Sequence, residues 1–226
     1  MTKIIDNLQR IQQQIDEACK KVGRDPKEVT IVAVTKQVTT ERAQEALAAG
    51  LQHLGENRPE PLLEKQETIT EGAVWHYIGS MQTRKVRKVL DHIDYIHSLD
   101  RLSLAEEIDK RAKKIINCFV QVNVSGEDSK HGLTVAEVIP FIEQLSTFSH
   151  IRVVGLMTMA PNTEDETVIR NTFKGLKELQ QTIAQRQYDH APCTELSMGM
   201  SQDVAIAVEE GSTYVRIGTA LVGLDG

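Results

Sequence analysis

The sequence predicts an α/β protein, a single (β/α)8 barrel of the TIM type with one additional helix at its amino terminus. Three observations lead there. Short β-rich runs alternate with helical stretches from residue 29 onward. The runs IVAV at 31–34 and VVGLM at 153–157 are nearly continuous apolar segments, as strands covered on both faces must be. About eight strand–helix units fill the chain with no shift in composition, so residues 1–226 read as one domain. A doubly wound open sheet, built from the same parallel unit, is the alternative.

The elements follow in order. Ile4, Ile5, Leu8, Ile11, Ile15, Ala18, Cys19 and Val22 recur at helical spacing, and Gly23 ends that first helix. Strand-like runs then fall at 29–35, 51–55, 74–80, 93–99, 116–124, 151–159, 193–199 and 213–218. Between them lie the helical stretches TTERAQEALAAG, MQTRKVRKVLDH, DRLSLAEEIDKRAKK, TVAEVIPFIEQLS, TEDETVIRNTFKGLKELQQTIAQR and SQDVAIAVEEG. Most of these open on Thr, Ser or Asp, whose side chains cap helix starts.

Composition narrows the function. With 32 acidic against 26 basic residues, spread along the chain, a nucleic-acid footprint is not expected. The densest basic run, residues 83–88, reads as a solvated helix face. Cys19, Cys118 and Cys193 are odd in number, widely spaced and without a CxxC pair, which fits a reducing cytoplasm. The opening segment lacks the apolar core of a signal peptide, and no run of about 18 apolar residues exists, so secretion and membrane insertion are disfavoured.

In a barrel, chemistry gathers at the carboxyl ends of the strands. Lys36 stands just beyond the first run, aimed at the barrel mouth. A lone lysine there reads as a solvated strand end, whereas an amine partly withheld from water is equipped to condense with an aldehyde. Ser197, Gly199 and Ser201 lie directly before the SQDVAIAVEEG helix, where N–H groups and the helix dipole favour an anion. Gly218 and Thr219 supply a second such loop, and barrels commonly hold phosphate after strands seven and eight. An amine at one side and two anion loops at the other describe pyridoxal 5′-phosphate (PLP). Arg216, two residues before Gly218 and on the same face, needs an acceptor. A pyridine nitrogen and a strand-end acid are both open.

The motifs AVTK with Lys36, GEN with Asn57, HYIGSMQTRKV from His76, VNVSGEDSKHGL from Val122, GLMTM from Gly155, SMGMSQD from Ser197 and RIGTALVG from Arg216 span nearly the whole chain. Together they resemble the pyridoxal phosphate homeostasis protein family, the proline synthetase co-transcribed or YggS type, which is similar to the N-terminal barrel of alanine racemase. The resemblance implies a monomeric barrel carrying PLP as an internal aldimine on Lys36. It implies Arg216 facing the pyridine nitrogen, Ser197, Gly199, Ser201, Gly218 and Thr219 around the phosphate, and Asn57 near the ring, with His76 and Met157 as weaker candidates. The implied role is intracellular PLP homeostasis and amino-acid and keto-acid balance without strong catalytic activity, with PLP-dependent apoenzymes or regulatory proteins as partners. Arg58, Pro59, Met81 and Arg84 depart from the family pattern, at the outer rim.

Two enzymatic readings compete. A racemase needs an acid/base on each face of the substrate carbon. In alanine racemase the second group comes from a β-rich domain for which no segment follows the eighth strand here, so one of Tyr77, Tyr95, Tyr188 or Tyr214 would have to replace it. A sugar-phosphate aldolase would use Lys36 without PLP, although in those enzymes the lysine comes from a later strand. The segment at 127–133 reads as a polar connection, with a mobile lid or docking surface as the alternative.

Overall fold

In the computed structural model, which describes residues 3–127 and 131–223, eight parallel strands close into a barrel. They are β1 (Thr30–Val34), β2 (His53–Glu56), β3 (Val74–Tyr77), β4 (Tyr95–Leu99), β5 (Ile116–Asn123), β6 (Ile151–Met157), β7 (Glu195–Ser197) and β8 (Tyr214–Ile217). Each pairs with the next, and β8 pairs back onto β1, which excludes the open sheet. A two-residue strand, Leu133–Thr134, lies against the end of β5. Part of the 127–133 segment falls outside the described residues.

Helices cover the outside: α1 (Lys3–Val22), α2 (Thr40–Ala48), α3 (Pro59–Thr68), α4 (Val86–Val89), α5 (Leu102–Arg111), α6 (Val135–Gln144), α7 (Glu166–Ala184), α8 (Val204–Glu209) and α9 (Thr219–Val222). The predicted first helix is α1. It buries Ile4, Ile11, Ile15, Ala18 and Cys19 and packs on α8 and α9. The Asn7 side chain donates to the Leu221 carbonyl at 2.9 Å, and Arg24 donates to the carbonyls of Val208 at 2.6 Å and Ser212 at 3.0 Å.

Two helices escape the sequence pattern. Pro59 and Pro61 punctuate the chain like a turn, yet both sit in the first turn of α3, where a missing N–H breaks no helical bond. The other, α9, is a single turn. Conversely, the basic run at 83–88 forms only one α-helical turn, α4, between 3-10 turns, with Arg84, Arg87 and Lys88 exposed.

The barrel wall has two unlike sides. Outside, aliphatic residues such as Ile31, Leu54, Ile96, Leu156 and Val215 meet the helices. Barrel interiors are ordinarily filled by Val, Ile and Leu. This one holds a cluster of rings instead: His76 stacks on Tyr95 with centroids 4.4 Å apart, His97 stacks on Phe119 at 4.5 Å, and Tyr214 contacts His53, His76, Tyr95 and Phe119. The cysteines are buried and free, and burial pushes their thiols up, that of Cys193 to about 12. They pack as small apolar residues.

Candidate functional site

Most of the predicted site residues follow four strands that are neighbours around the barrel, in the order β7, β8, β1, β2. Lys36 lies two residues past β1. The Thr35 N–H donates to the Gly55 carbonyl at 3.0 Å, extending the pairing by one residue, and the chain then turns, with the Val38 N–H on the Thr35 carbonyl at 3.2 Å. Val38 is buried and pins the far side of the turn. Lys36 itself is exposed, so it is the rigid mounting of the turn, rather than withdrawal from water, that sets the position of this amine.

A buried acid anchors the mount. The Thr35 hydroxyl donates to Glu56 Oε1 at 2.6 Å, and Lys65 Nζ reaches the same oxygen at 3.0 Å. Glu56 has no exposed surface and Lys65 is 4% exposed, while Glu56 Oε2 has no hydrogen-bond partner among the described residues. Sequence reasoning missed both residues. The signal lay in α3, where Lys65 continues the buried spacing of Pro59 and Leu62 and thus sits on the apolar face.

Asn57 follows β2 directly and is half-buried. Gly79 packs against it so closely that a Cβ there would stand 2.6 Å from the Asn57 carbonyl oxygen, and Ser98 donates to the Gly79 carbonyl at 2.7 Å. The loops after β2 and β3 are therefore locked to each other and to β4.

After β7, Gly199 takes φ +99°, and a Cβ on it would meet Ala207 Cβ at 2.5 Å, so both conformation and space demand glycine. Its carbonyl accepts from the Arg216 N–H at 3.0 Å, tying this loop to β8. Ser201 is exposed in the following turn. The helix begins only at Val204 and has six residues, and Asp203, not a serine, satisfies the loop by accepting from the Met200 N–H at 2.6 Å. Burial pushes the Asp203 carboxyl up, opposed by that N–H and by the charge of Arg216. Gly218 lies beside Val34, where a Cβ would make ordinary contact at 3.7 Å, and Thr219 is exposed at the start of α9.

Two candidates turn inward. Ser197, the last residue of β7, has no exposed surface, and its hydroxyl lies between Arg216 Nη1 at 2.5 Å and His97 Nδ1 at 2.8 Å. Arg216 also donates to the Thr158 carbonyl at 3.2 Å. Burial pushes the guanidinium down to about 10, with the Asp203 charge drawing it back up. Its acceptors are thus a hydroxyl and a carbonyl, and among the described residues no carboxylate pairs with it. His76 lies inside the barrel with no exposed surface, and Met157 is buried at the end of β6. The tyrosines are engaged elsewhere: Tyr95 and Tyr214 in the interior, Tyr77 in the outer core, and Tyr188 on Glu143 at 2.6 Å.

Behind Ser197 the bonds continue. His97 Nε2 and His76 Nδ1 are 2.8 Å apart, as are His76 Nε2 and His53 Nδ1. Burial lowers the pKa of all three rings, far below the usual value for His76 and His97. The fold therefore holds His76 and His97 neutral while an unfolded chain binds protons below about pH 6.5, so their contribution to stability is complete above that pH and is lost as pH falls through it. His76 and His97 both contribute, so the protein is expected to be less stable at pH 5.5 than at pH 7.5. Urea denaturation at the two pH values checks this, and equal stabilities would show that the rings are charged in the fold.

A closed barrel with a strand-end lysine and glycine loops after its last two strands has the form of an alanine racemase barrel, and the family model described as "Alanine racemase, N-terminal domain" matches residues 6–226. A pyridoxal phosphate homeostasis protein of Aquifex aeolicus (strain VF5) is 38% identical over 222 residues, 96% of each chain. Another, of Escherichia coli (strain K12), is 34% identical over 230 residues, covering 99% of this chain and 97% of its own. PipY of Synechococcus elongatus PCC7942, solved with PLP bound, superposes with a TM-score of 0.82 at 32% identity, covering 94% of this chain and 100% of its own. The chain belongs to the pyridoxal phosphate homeostasis protein family.

Proposed function

We propose that this chain binds PLP at the barrel mouth, on the rim formed by β7, β8, β1 and β2, and serves PLP homeostasis without strong catalytic activity of its own. The observation that carries the reading is the convergence of Lys36, the Gly199–Ser201 loop and the Gly218–Thr219 loop on adjoining strands. The residues fit the group. Gly199 fills a place no side chain can occupy, Gly218 leaves the backbone open beside Val34, and Ser201 and Thr219 offer exposed hydroxyls. When bound, PLP supplies an aldehyde open to an amine and a ring that draws electrons.

The chain's own residues divide the work. Lys36 presents its amine from a turn fixed by Thr35 and Glu56. Arg216 offers only donors, so a pyridine nitrogen facing it is kept unprotonated. Ser197, expected near the phosphate, is better assigned to steadying Arg216, since its hydroxyl is already committed there. Asn57 borders the ring. A monomer is supported by the β8–β1 pairing that closes the barrel on itself, and a cytoplasmic location by three buried free thiols. No helix among the described residues is long and apolar enough to cross a membrane. PLP-dependent apoenzymes or regulatory proteins are the partners this role requires.

An absorption spectrum of the purified protein mixed with PLP, then borohydride reduction and peptide mass mapping, tests the reading. A visible band that vanishes on reduction, with the added mass on Lys36, is expected. A colourless protein that cannot be reconstituted would return Lys36 to the aldolase reading. Gly218→Leu is expected to weaken PLP retention by about tenfold or more, and unchanged retention in equilibrium dialysis would remove the second anion loop.

A further inference from the structure

The interior histidines form one continuous chain of hydrogen bonds, and its direction follows from chemistry. Arg216 can only donate, so Ser197 Oγ accepts from it at 2.5 Å, leaving the serine hydrogen for His97 Nδ1 at 2.8 Å. With that nitrogen accepting, neutral His97 carries its hydrogen on Nε2 and donates to His76 Nδ1. His76 in turn donates from Nε2 to His53 Nδ1. The opposite order would make Ser197 accept from both neighbours and leave its buried hydroxyl hydrogen without an acceptor, which is the costlier arrangement. The chain ends at His53, the half-buried first residue of β2, at the amino-terminal end of the barrel and opposite the mouth.

We propose that His53, His76, His97 and Ser197 work as one positioning unit for Arg216, through which proton uptake at the amino-terminal end of the barrel alters the hold on the guanidinium. A proton taken up by His53 from solvent leaves an N–H on both of its nitrogens, and Nδ1 then no longer accepts from His76. Bonding is restored by reversal. His76 and His97 each exchange a hydrogen on Nε2 for one on Nδ1 and remain neutral, so the unit gains one proton in all, carried on His53. His97 now donates to Ser197, whose oxygen accepts from two sides, and the bond to Arg216 weakens.

The surroundings place proton uptake at the solvent end. His53 faces His76 from β3, the Tyr214 ring from β8 at 6.0 Å, and the charge of Asp94, which favours its protonated form. Asp94 is itself held by Lys114 at 2.9 Å and the Trp75 N–H at 3.0 Å. His76 sees the Tyr95 ring and any charge on His53, His97 sees the Phe119 ring and, from β8, the opposing charge of Arg216, and Arg216 sees Asp203. The Tyr95 and Tyr214 hydroxyls, 3.5 Å apart, face each other.

The link to PLP rests on the reading of Arg216 given above, whereas the unit itself is testable without PLP. Ring nitrogen NMR of the 15N-histidine-labelled protein, free of PLP, is followed from pH 8 to pH 5. At pH 8, His76 and His97 are expected as Nε2–H tautomers, and both switch to Nδ1–H at the midpoint of His53 titration. In His53→Gln, whose amide oxygen can still accept from His76 but cannot take up a proton, the switch is expected to vanish. An Nδ1–H tautomer for either inner ring at pH 8, or inner rings unchanged across the range, would overturn the proposal. Dialysis then reads the consequence: between pH 8 and pH 6 the PLP affinity of the parent is expected to fall at least about threefold further than that of His53→Gln, so that the ratio of the two changes with pH. A constant ratio would overturn the coupling to Arg216. Failure of both proteins to bind PLP would count against the cofactor reading alone, with the ring tautomers still deciding the unit.

Discussion

Lys36→Ala is expected to fold as the parent does and to retain no borohydride-fixed PLP. Lys36 is exposed in a turn whose shape depends on Thr35 below it and buried Val38 beyond it. Removing an exposed side chain of this kind costs within about 0.5 kcal/mol, so the urea midpoint should hardly move. The covalent adduct, by contrast, should disappear completely, because Lys36 is the amine that this turn presents. Intact mass after reduction, read beside the unfolding curve, separates the two effects. An adduct of the same stoichiometry at another lysine would sink the assignment.

Lys65→Met is expected to do the reverse, striking the fold at a buried residue paired with Glu56. It leaves the carboxylate of Glu56 buried without its cation, a change that costs about 3–5 kcal/mol. The Thr35 hydroxyl alone cannot compensate, and the Glu56 oxygen that already lacks a partner worsens the account. Glu56→Gln combined with Lys65→Met should recover most of the loss, since it removes the stranded charge. Urea unfolding of the single and double variants measures both, and a single-variant loss below about 1 kcal/mol would mean that water reaches the pair.

The barrel was legible because strands buried on both faces must be apolar throughout, and IVAV and VVGLM are. Neighbouring strand ends made the mouth legible too, since Lys36 and the two glycine loops each follow a strand. The α3 helix was hidden by Pro59 and Pro61, which punctuate a sequence identically in a turn and in a first helical turn. In SMGMSQD the serines drew the reading, whereas it is Asp203 that holds the loop, by accepting from the Met200 N–H three residues before it, with no side-chain bond to its own helix. The histidine chain was the hardest to see. His53, His76 and His97 are separated by 23 and 21 residues, about one strand–helix unit each, and only barrel closure brings such positions inward together.

The docking of α1 has a consequence for the order in which the molecule is completed. Asn7 binds a carbonyl 214 residues away, and Arg24 clips carbonyls 184 and 188 residues further along. During synthesis the opening helix therefore waits for almost the whole chain, and β8 cannot close against β1 until it arrives. The two glycine loops belong to this final closure. On the proposed binding mode, a nascent chain with Lys36 already displayed lacks the phosphate half of its rim, and PLP is retained only by a barrel that has finished folding.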